Sequence, residues 1–405
     1  MEGITTEARS LEKVHKYCIE KKFSFVSWRT PCSDTLQTGI QSAGQPEELY
    51  NIKSLEGKSG FVFAPFAVSL AFPIRLIVPD IIFTGMNYNG PLFEYPGNRI
   101  EPDNMSGTYP DSSHPCNINQ YSTDPAGSPP PYPPEANITC ISRSGYIAQV
   151  QQVKRIIANG GLDKLVLSRS SAYPRPEGYN PSQFLNALHT AYPEAFVYLL
   201  YIPGTGMWCG ATPESLVAVS GNRVNTVSLA GTRHFPENGE TVTWENKEIR
   251  EQDIVTTYIH DVLKKFNITD YLKTGLESMK AGNLLHLKSG ISFPLDELRG
   301  RLIEFIDELH PSPSVCGVPK EEAIDYIMKA ERHAREYYTG FLGPVNTVNG
   351  DLKLFVNLRC MKIGSDSLQF FMGAGITSGS DPLKEWEETE AKKMTLVDIF
   401  NSINL

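Results

Sequence analysis

The sequence has no long apolar run, few cysteines and no excess of basic charge. No apolar segment approaches the roughly 20 residues of a membrane-spanning helix, and the polar N-terminus lacks a signal-peptide-like apolar segment. The seven cysteines are scattered and form no C-x-x-C pair, which argues against a disulfide framework or a zinc site. A net charge of −9 disfavours phosphate-backbone binding. We therefore expect a cytoplasmic protein that neither spans a membrane nor binds nucleic acid.

The distribution of proline divides the chain. Ten of the 29 prolines lie between positions 96 and 134, which predicts a long loop or linker. We therefore separate an N-terminal portion of strands and loops, residues 1–135, from a C-terminal portion, residues 136–405, and expect both to belong to one intertwined fold. Short apolar runs with hairpin turns alternate with long amphipathic helices, which is typical of an α+β fold.

Hydrophobic periodicity and turn residues predict the individual elements. The predicted helices are 1–22, 144–159 with Ser144 as its N-cap, 243–266, 320–337 and a last one from about Pro382. The predicted strands are 162–170, 196–202, 207–212, a hairpin turning at Gly221-Asn222, and a second hairpin of 352–363 with 368–376.

Carboxylates occur where apolar residues are expected. Glu251 continues the apolar stripe of its helix, and Glu385, Glu388 and Lys392 share a face of the last helix at spacings i, i+3 and i+7. A buried carboxylate needs a cation or several donors, and two such helices suit a hard divalent cation such as Mg²⁺. A solvated helix face with a Glu388–Lys392 ion pair is the alternative, and by pattern alone it is the commoner case.

Other polar residues interrupt or follow predicted strands. Lys164 begins an apolar strand, where an edge position is the usual explanation, and Glu214 follows a strand in Gly-Ala-Thr-Pro-Glu. Arg359 is flanked by apolar residues in a predicted strand, which indicates an anionic partner. The run 373–375, Gly-Ala-Gly, offers backbone N–H groups to an anion.

Seven motifs in a fixed order are more specific than any one of them. The chain resembles the chorismate-utilising enzymes, which include isochorismate, salicylate, anthranilate and aminodeoxychorismate synthases, over residues 140–405. The motifs are Lys164-Leu-Val-Leu-Ser-Arg169, Gly210-Ala-Thr-Pro-Glu214, Leu229-Ala-Gly-Thr-Arg233, Leu309-His-Pro-Ser-Pro-Ser-Val-Cys-Gly317, Arg359-Cys360, Gly373-Ala-Gly-Ile376 and Glu385-Trp-Glu-Glu-Thr-Glu-Ala-Lys392.

The resemblance implies a fold and a role for each motif. It implies two large antiparallel sheets surrounded by helices, with a chorismate site between them. Glu251 and Glu388 are expected to bind Mg²⁺ directly, with support from Glu385. The residues expected to contact chorismate are Gly231, Thr232, His310, Tyr338, Arg359, Gly373, Ala374, Gly375 and Lys392.

The residue at position 164 distinguishes the branches of the family. The resemblance implies that a lysine there is the general base that adds water at C2, and that Glu214 is the acid that protonates the leaving C4 hydroxyl. The aminodeoxychorismate branch carries Pro-Ile-Lys-Gly where this chain has Leu229-Ala230-Gly231. We therefore expect an isochorismate synthase with no glutaminase subunit.

Salicylate synthesis, in which pyruvate is eliminated from isochorismate, remains the alternative because it uses the same residues. One departure from the family pattern bears on this choice. Ser314 occupies a position where alanine is more usual, near the ring of the substrate, and the resemblance implies that this residue influences the product.

Overall fold

The computed structural model describes residues 9–88, 139–236, 242–282, 284–348 and 350–403. The proline-rich segment 96–134 and the boundary between residues 135 and 136 lie outside these ranges. In the described part, no helix combines the length and apolar character needed to cross a membrane.

Seven α-helices and 21 strands occur in the described ranges. The helices are α1 (Leu11–Lys21), α2 (Arg143–Ala158), α3 (Pro181–Ala191), α4 (Asn246–Lys265), α5 (Leu302–Leu309), α6 (Lys320–Ala330) and α7 (Pro382–Ile403). The strands are β1 (Arg9–Ser10), β2 (Ser24–Arg29), β3 (Gln37–Gln41), β4 (Glu47–Leu49), β5 (Ser59–Ala64), β6 (Ile74–Ile77), β7 (Ile81–Thr84), β8 (Asn87–Tyr88), β9 (Lys164–Pro174), β10 (Phe196–Ile202), β11 (Gly206–Thr212), β12 (Ser215–Ser220), β13 (Arg223–His234), β14 (Leu272–Lys273), β15 (Glu277–Ala281), β16 (Leu284–Pro294), β17 (Gly317–Val318), β18 (Phe341–Asn346), β19 (Asp351–Val356), β20 (Cys360–Ile363) and β21 (Ser367–Ile376).

Two large antiparallel sheets form the centre of the fold. The nine-stranded sheet has the order β17-β9-β21-β20-β11-β10-β2-β3-β7, and the ten-stranded sheet has the order β14-β16-β13-β12-β19-β18-β5-β6-β4, with β15 also paired to β16. Strands from the N-terminal portion complete both sheets, because β2, β3 and β7 join the first and β4, β5 and β6 join the second. The α+β prediction with large antiparallel sheets and surrounding helices is therefore confirmed.

Both faces of the central strands are buried. Alternate residues of β10, Phe196, Tyr198 and Leu200, belong to an aromatic core shared with β5 of the other sheet, so the two sheets pack against each other there. Val197 and Leu199 face the opposite way, into a core with α1, α3 and α7. This double burial explains why β10 is apolar throughout. A third core joins α4 and α5 to the ten-stranded sheet.

Four predictions of secondary structure need correction. The predicted helix 1–22 begins only at Leu11, after the short strand Arg9–Ser10, and its residues 1–8 lie outside the described ranges. The N-cap of α2 is Ser142, not Ser144, because the Ser142 side chain accepts a hydrogen bond from the backbone N–H of Gly145, three residues on. The predicted helix 320–337 ends at residue 330, where Glu331 turns inward to a buried ion pair with Arg335. The predicted strand 352–363 is two strands, β19 and β20, which belong to different sheets.

Candidate active site

Two neighbouring chain crossings, which run in opposite directions between the sheets, position the site. The chain passes from β11 in the nine-stranded sheet to β12 in the ten-stranded sheet through Glu214, and it passes from β19 back to β20 through Arg359. Backbone hydrogen bonds hold the crossings together, since the Val356 N–H donates to the Glu214 carbonyl (2.9 Å) and the Ala211 N–H donates to the Arg359 carbonyl (3.1 Å). Arg359 therefore lies between strands, at φ 48°, and not inside one as predicted.

A narrow inner cavity of about 50 Å³ lies beside these crossings. It brings together residues from ten separate parts of the sequence. The predicted site residues that line it are Glu214, Gly231, Thr232, Glu251, Tyr338, Arg359, Gly373, Gly375 and Lys392. An outer basin of about 620 Å³ shares Thr232 with the inner cavity and is lined by Glu388 and Lys247.

Lys164 is completely buried although it is the first residue of β9. Its Nζ lies 3.0 Å from Glu251 Oε1, without the alignment of a hydrogen bond. β9 is not an edge strand at this point, because Val318 of β17 pairs with Lys164 on one side and β21 pairs with the following residues on the other. The commoner explanation, an exposed edge-strand lysine, is therefore wrong.

Glu214 is a buried carboxyl group next to several cations. Burial raises its pKa to about 7, although the Ser314 hydroxyl and the charges of Lys164, Arg359 and Lys392 act in the opposite direction. A carboxyl group with this pKa is partly protonated at neutral pH, so it can deliver a proton there and can also accept one.

Arg359 is buried, and within the described ranges no carboxylate lies close enough to form an ion pair with it. Its Nη2 donates to Nε2 of His286 (3.1 Å), whose Nδ1–H donates to the Gly231 carbonyl (3.0 Å). Burial, reinforced by Arg359 and Lys392, lowers the pKa of His286 to about 3, so the imidazole is neutral and its tautomer is set by these two contacts. A buried arginine without a carboxylate partner is suited to an anionic ligand.

His286 lines the inner cavity, yet the sequence analysis did not identify it. The available signal was one histidine in the apolar run Leu284 to Leu287. Because a lone histidine in a strand is common, only its contact with Arg359 indicates a role at the site.

Gly373 and Gly375 have no side chains and so leave room for neighbouring side chains of the site. A Cβ on Gly375 would lie 2.3 Å from Glu251 Oε1 and 3.0 Å from Lys164 Cε, and a Cβ on Gly373 would lie 3.1 Å from the Tyr338 hydroxyl. Tyr338 is buried and stacks on Phe371 (5.6 Å between ring centroids). The glycines therefore allow functional side chains to approach the strand closely.

Gly231 and Lys392 both line the inner cavity. Gly231 has φ +72° and lies at a register shift between Ala230 and Thr232 in β13, which is a β-bulge. Lys392 donates to the Gly373 carbonyl (2.9 Å) and to Glu388 Oε1 (2.6 Å), so it ties α7 to β21.

The three predicted metal ligands each pair with a lysine. The pairs are Glu251 with Lys164 (3.0 Å), Glu385 with Lys247 (2.6 Å) and Glu388 with Lys392 (2.6 Å). No group of three or more acidic, histidine or cysteine side chains in the described ranges is clustered closely enough to be recognised as a metal site.

Two observations nevertheless fit a divalent cation between α4 and α7. Glu385 Oε2 is buried and has no hydrogen-bond partner in the described part of the chain. Burial and the neighbouring charge of Glu388 raise the pKa of Glu385, whereas Lys392 and Lys247 outweigh burial and keep the pKa of Glu388 below its usual value. Two carboxylates of one helix that compete for positive charge are suited to a further cation. The Mg²⁺ assignment stays a prediction.

Two predicted substrate contacts do not line the inner cavity. His310 is buried against Phe341, and its Nε2–H donates to the carbonyls of Pro65 and Phe66 (3.2 Å each), so it fixes the chain after β5. Ala374 points to the other face of β21, because side chains alternate along a strand, and it packs in a core with α2 and α6.

The sequence and the fold of this chain are both similar to those of known proteins. The sequence profile of the chorismate binding enzyme family matches residues 113–401. The vibriobactin-specific isochorismate synthase of Vibrio cholerae is 26% identical over 64% of this chain and 67% of its own length. Isochorismate synthase DhbC of Bacillus subtilis is 29% identical over 62% of this chain and 66% of its own length, so the aligned segments span about two thirds of these relatives.

A solved structure extends the similarity of the fold to nearly the whole chain. MenF, the menaquinone-specific isochorismate synthase of Escherichia coli, superimposes with a TM-score of 0.70 at 16% sequence identity, covering 98% of this chain and 92% of that one. At this identity the likeness concerns the fold. Because the family profile matches well over half of the sequence, this chain belongs to the chorismate binding enzyme family.

Proposed function

We propose that the protein is an isochorismate synthase that adds water at C2 of chorismate and removes the C4 hydroxyl. The observation that carries the proposal is Arg359, a buried guanidinium without a carboxylate partner in the described ranges. It lines the same cavity as Glu214 and as Glu251, which contacts Lys164. Chorismate has two carboxylates, one of which would pair with Arg359. The names of the relatives above support the same activity.

In the proposed reaction, Lys164 acts in its uncharged form and takes a proton from the water that attacks C2, and protonated Glu214 donates its proton to the hydroxyl that leaves C4. Base and acid must act on different atoms of the ring, which fits their origin on different elements, β9 and the β11–β12 crossing. Tyr338 and the backbone at Gly375 would assist Arg359 at the enolpyruvyl carboxylate. Lys392, Gly231 and Thr232 would contact the region of the ring carboxylate.

Mg²⁺, if bound by Glu251 and Glu388 with support from Glu385, would orient the ring carboxylate and polarise the conjugated ring. The residues of this chain supply the proton transfers. The lysine at position 164 favours water over ammonia as nucleophile, so we propose no glutaminase subunit. The relatives reported above are not salicylate synthases, so we propose the isomerisation alone.

The test is incubation of the purified protein with chorismate and Mg²⁺, with the products separated by chromatography. We expect isochorismate at equilibrium with chorismate and no release of pyruvate. Salicylate with stoichiometric pyruvate would instead establish the elimination activity, and no conversion by a folded protein would refute the proposal.

A further inference from the structure

Glu214 lies next to a turn, residues 312–316, whose backbone is held by hydrogen bonds within the turn and to neighbouring residues. The N–H groups of Val315 and Cys316 both donate to the Ser312 carbonyl (3.0 and 2.9 Å). The Cys316 carbonyl accepts from Val166 of β9 (2.6 Å), and the Val315 carbonyl accepts from the Arg335 guanidinium (2.7 Å). The turn therefore has a fixed position relative to β9.

This turn directs a pair of hydroxyl groups at the carboxyl group of Glu214. Ser314 Oγ donates to Glu214 Oε1 at 2.5 Å, and Ser312 Oγ lies 2.6 Å from Ser314 Oγ. A hydroxyl that donates one hydrogen bond to a carboxylate can still accept a hydrogen bond at its oxygen. Ser312 can therefore donate a hydrogen bond to Ser314. In the described ranges no other side chain forms a hydrogen bond with the Glu214 carboxyl group.

An acid that delivers its proton must carry that proton on the oxygen that faces the substrate. We propose that Ser314, supported by Ser312, is a positioning residue for the general acid. Its hydroxyl donates a hydrogen bond to Oε1, so that the transferable proton is carried by Oε2, and the same hydrogen bond stabilises the carboxylate that remains after transfer. The inference rests on the proposed function, because it assigns Glu214 as the acid.

The proton balance of the step is simple. The Oε2–H bond breaks as the proton moves to the C4 oxygen, the C4–O bond breaks with its electron pair on the departing water, and Glu214 is left as a carboxylate. Ser314 keeps its own proton throughout and only strengthens its hydrogen bond as Oε1 gains negative charge. In the reverse direction the same carboxylate removes a proton from water.

The groups around Glu214 determine how loss of the Ser314 hydroxyl changes the pKa of Glu214. Burial raises the Glu214 pKa, whereas Ser314, Lys164, Arg359 and Lys392 lower it. Ser314→Ala removes one of the lowering effects and leaves the cations in place. The Glu214 pKa therefore rises in the variant, by roughly one pH unit for a hydrogen bond to a charged group.

The experiment compares the wild type with Ser314→Ala, Ser312→Ala and a matched control, Ser182→Ala. Ser182 is as buried as Ser312, each being 7% exposed. Ser182 also forms a hydrogen bond with another side chain, at His15 Nδ1 (2.8 Å), but it lies in α3 on the outer face of the nine-stranded sheet.

The first readout needs no turnover. The carboxyl group of Glu214 is titrated by ¹³C NMR without substrate, and Glu214→Gln identifies its signal.

We expect the titration midpoint to move to higher pH in Ser314→Ala, to move less in Ser312→Ala, and to stay unchanged in Ser182→Ala. In turnover, kcat of Ser314→Ala falls about tenfold at neutral pH, its alkaline limb moves to higher pH, and KM changes less than about threefold. Ser314→Thr, which keeps a hydroxyl, restores the wild-type titration midpoint.

An unchanged Glu214 midpoint in Ser314→Ala would overturn the inference. If circular dichroism shows that this variant does not fold, an unchanged midpoint in Ser312→Ala has the same meaning. Failure of the proposed function gives a different result, because a wild type that leaves chorismate unchanged would refute the activity while the titration still measures the effect of Ser314 on Glu214.

Discussion

Nζ of Lys164 lies 3.0 Å from Glu251 Oε1, so the proposed base and a proposed metal ligand are direct neighbours. The pair joins β9 to α4 across Gly375 of β21, whose missing side chain gives both groups their space. The lysine is fully buried, whereas 14% of the glutamate side chain is exposed. Displacement of either partner therefore affects both proposed roles.

Replacement of Gly375 by alanine tests whether activity depends on the close contact between Lys164 and Glu251. A Cβ there would meet Glu251 Oε1 at 2.3 Å, so the carboxylate and the lysine must move. We expect kcat to fall by roughly 100-fold, because a shift of about 1 Å at a reacting group can have that effect. Gly275→Ala is the control, since a Cβ at Gly275 meets no atom within 4 Å. Equal kinetics for both variants would show that the pair tolerates displacement.

Replacement of Lys164 by alanine tests the base. We expect kcat to fall about 100- to 10,000-fold, the usual effect of losing a general base, while KM changes little because the lysine acts on water. Lys265→Ala, which removes a surface ion pair with Glu308, is the control. Steady-state kinetics on both variants measure the effect, and near-normal turnover by Lys164→Ala would refute the assignment.

Replacement of Arg359 by alanine tests carboxylate binding. KM for chorismate should rise about 10- to 100-fold, since a charge-assisted contact is lost, and Arg359→Lys should give an intermediate value because it keeps the charge without the fork of donors. Arg175→Ala is the control, because Arg175 directly follows β9 and donates to the Gly364 carbonyl in the β20–β21 turn. A fall in kcat alone, with KM unchanged, would contradict the binding role.

Replacement of Glu214 by glutamine tests the acid and its pH dependence. The forward reaction needs protonated Glu214, so its rate should fall as the pH rises through about 7, the pKa to which burial raises this group. An amide cannot donate that proton, so Glu214→Gln should slow the forward and reverse reactions together, by microscopic reversibility, with little change in melting temperature. A variant that is destabilised yet catalyses both directions normally would place the acid elsewhere.

Removal of divalent cations tests the role of the carboxylates on α4 and α7. We expect excess chelator to abolish activity and Mg²⁺ to restore it. Mg²⁺ should also raise the melting temperature without substrate, because a ligand that binds only the folded state stabilises it. Glu388→Gln should weaken both effects, whereas Glu387→Gln, at an exposed neighbouring position, should not. Full turnover in excess chelator would contradict the metal assignment.

The sequence by itself indicated many of the elements and half of the residues that line the inner cavity. The strand 196–202 and the hairpin turn at Gly221-Asn222 are confirmed as predicted, because apolar period and turn chemistry are local properties. The order of the motifs indicated the family, and nine of the predicted site residues line one cavity. No local pattern, however, distinguishes a buried strand lysine from an exposed one.

Only the tertiary structure decided which side chains meet. Arg359 and Glu214 come together because two crossings between sheets run side by side, a relationship of residues 145 positions apart that has no local signature. The same packing places His286 in the wall of the cavity and leaves His310 and Ala374 outside it. Pairing between distant strands fixes register and facing, and these in turn determine which polar groups share a buried space.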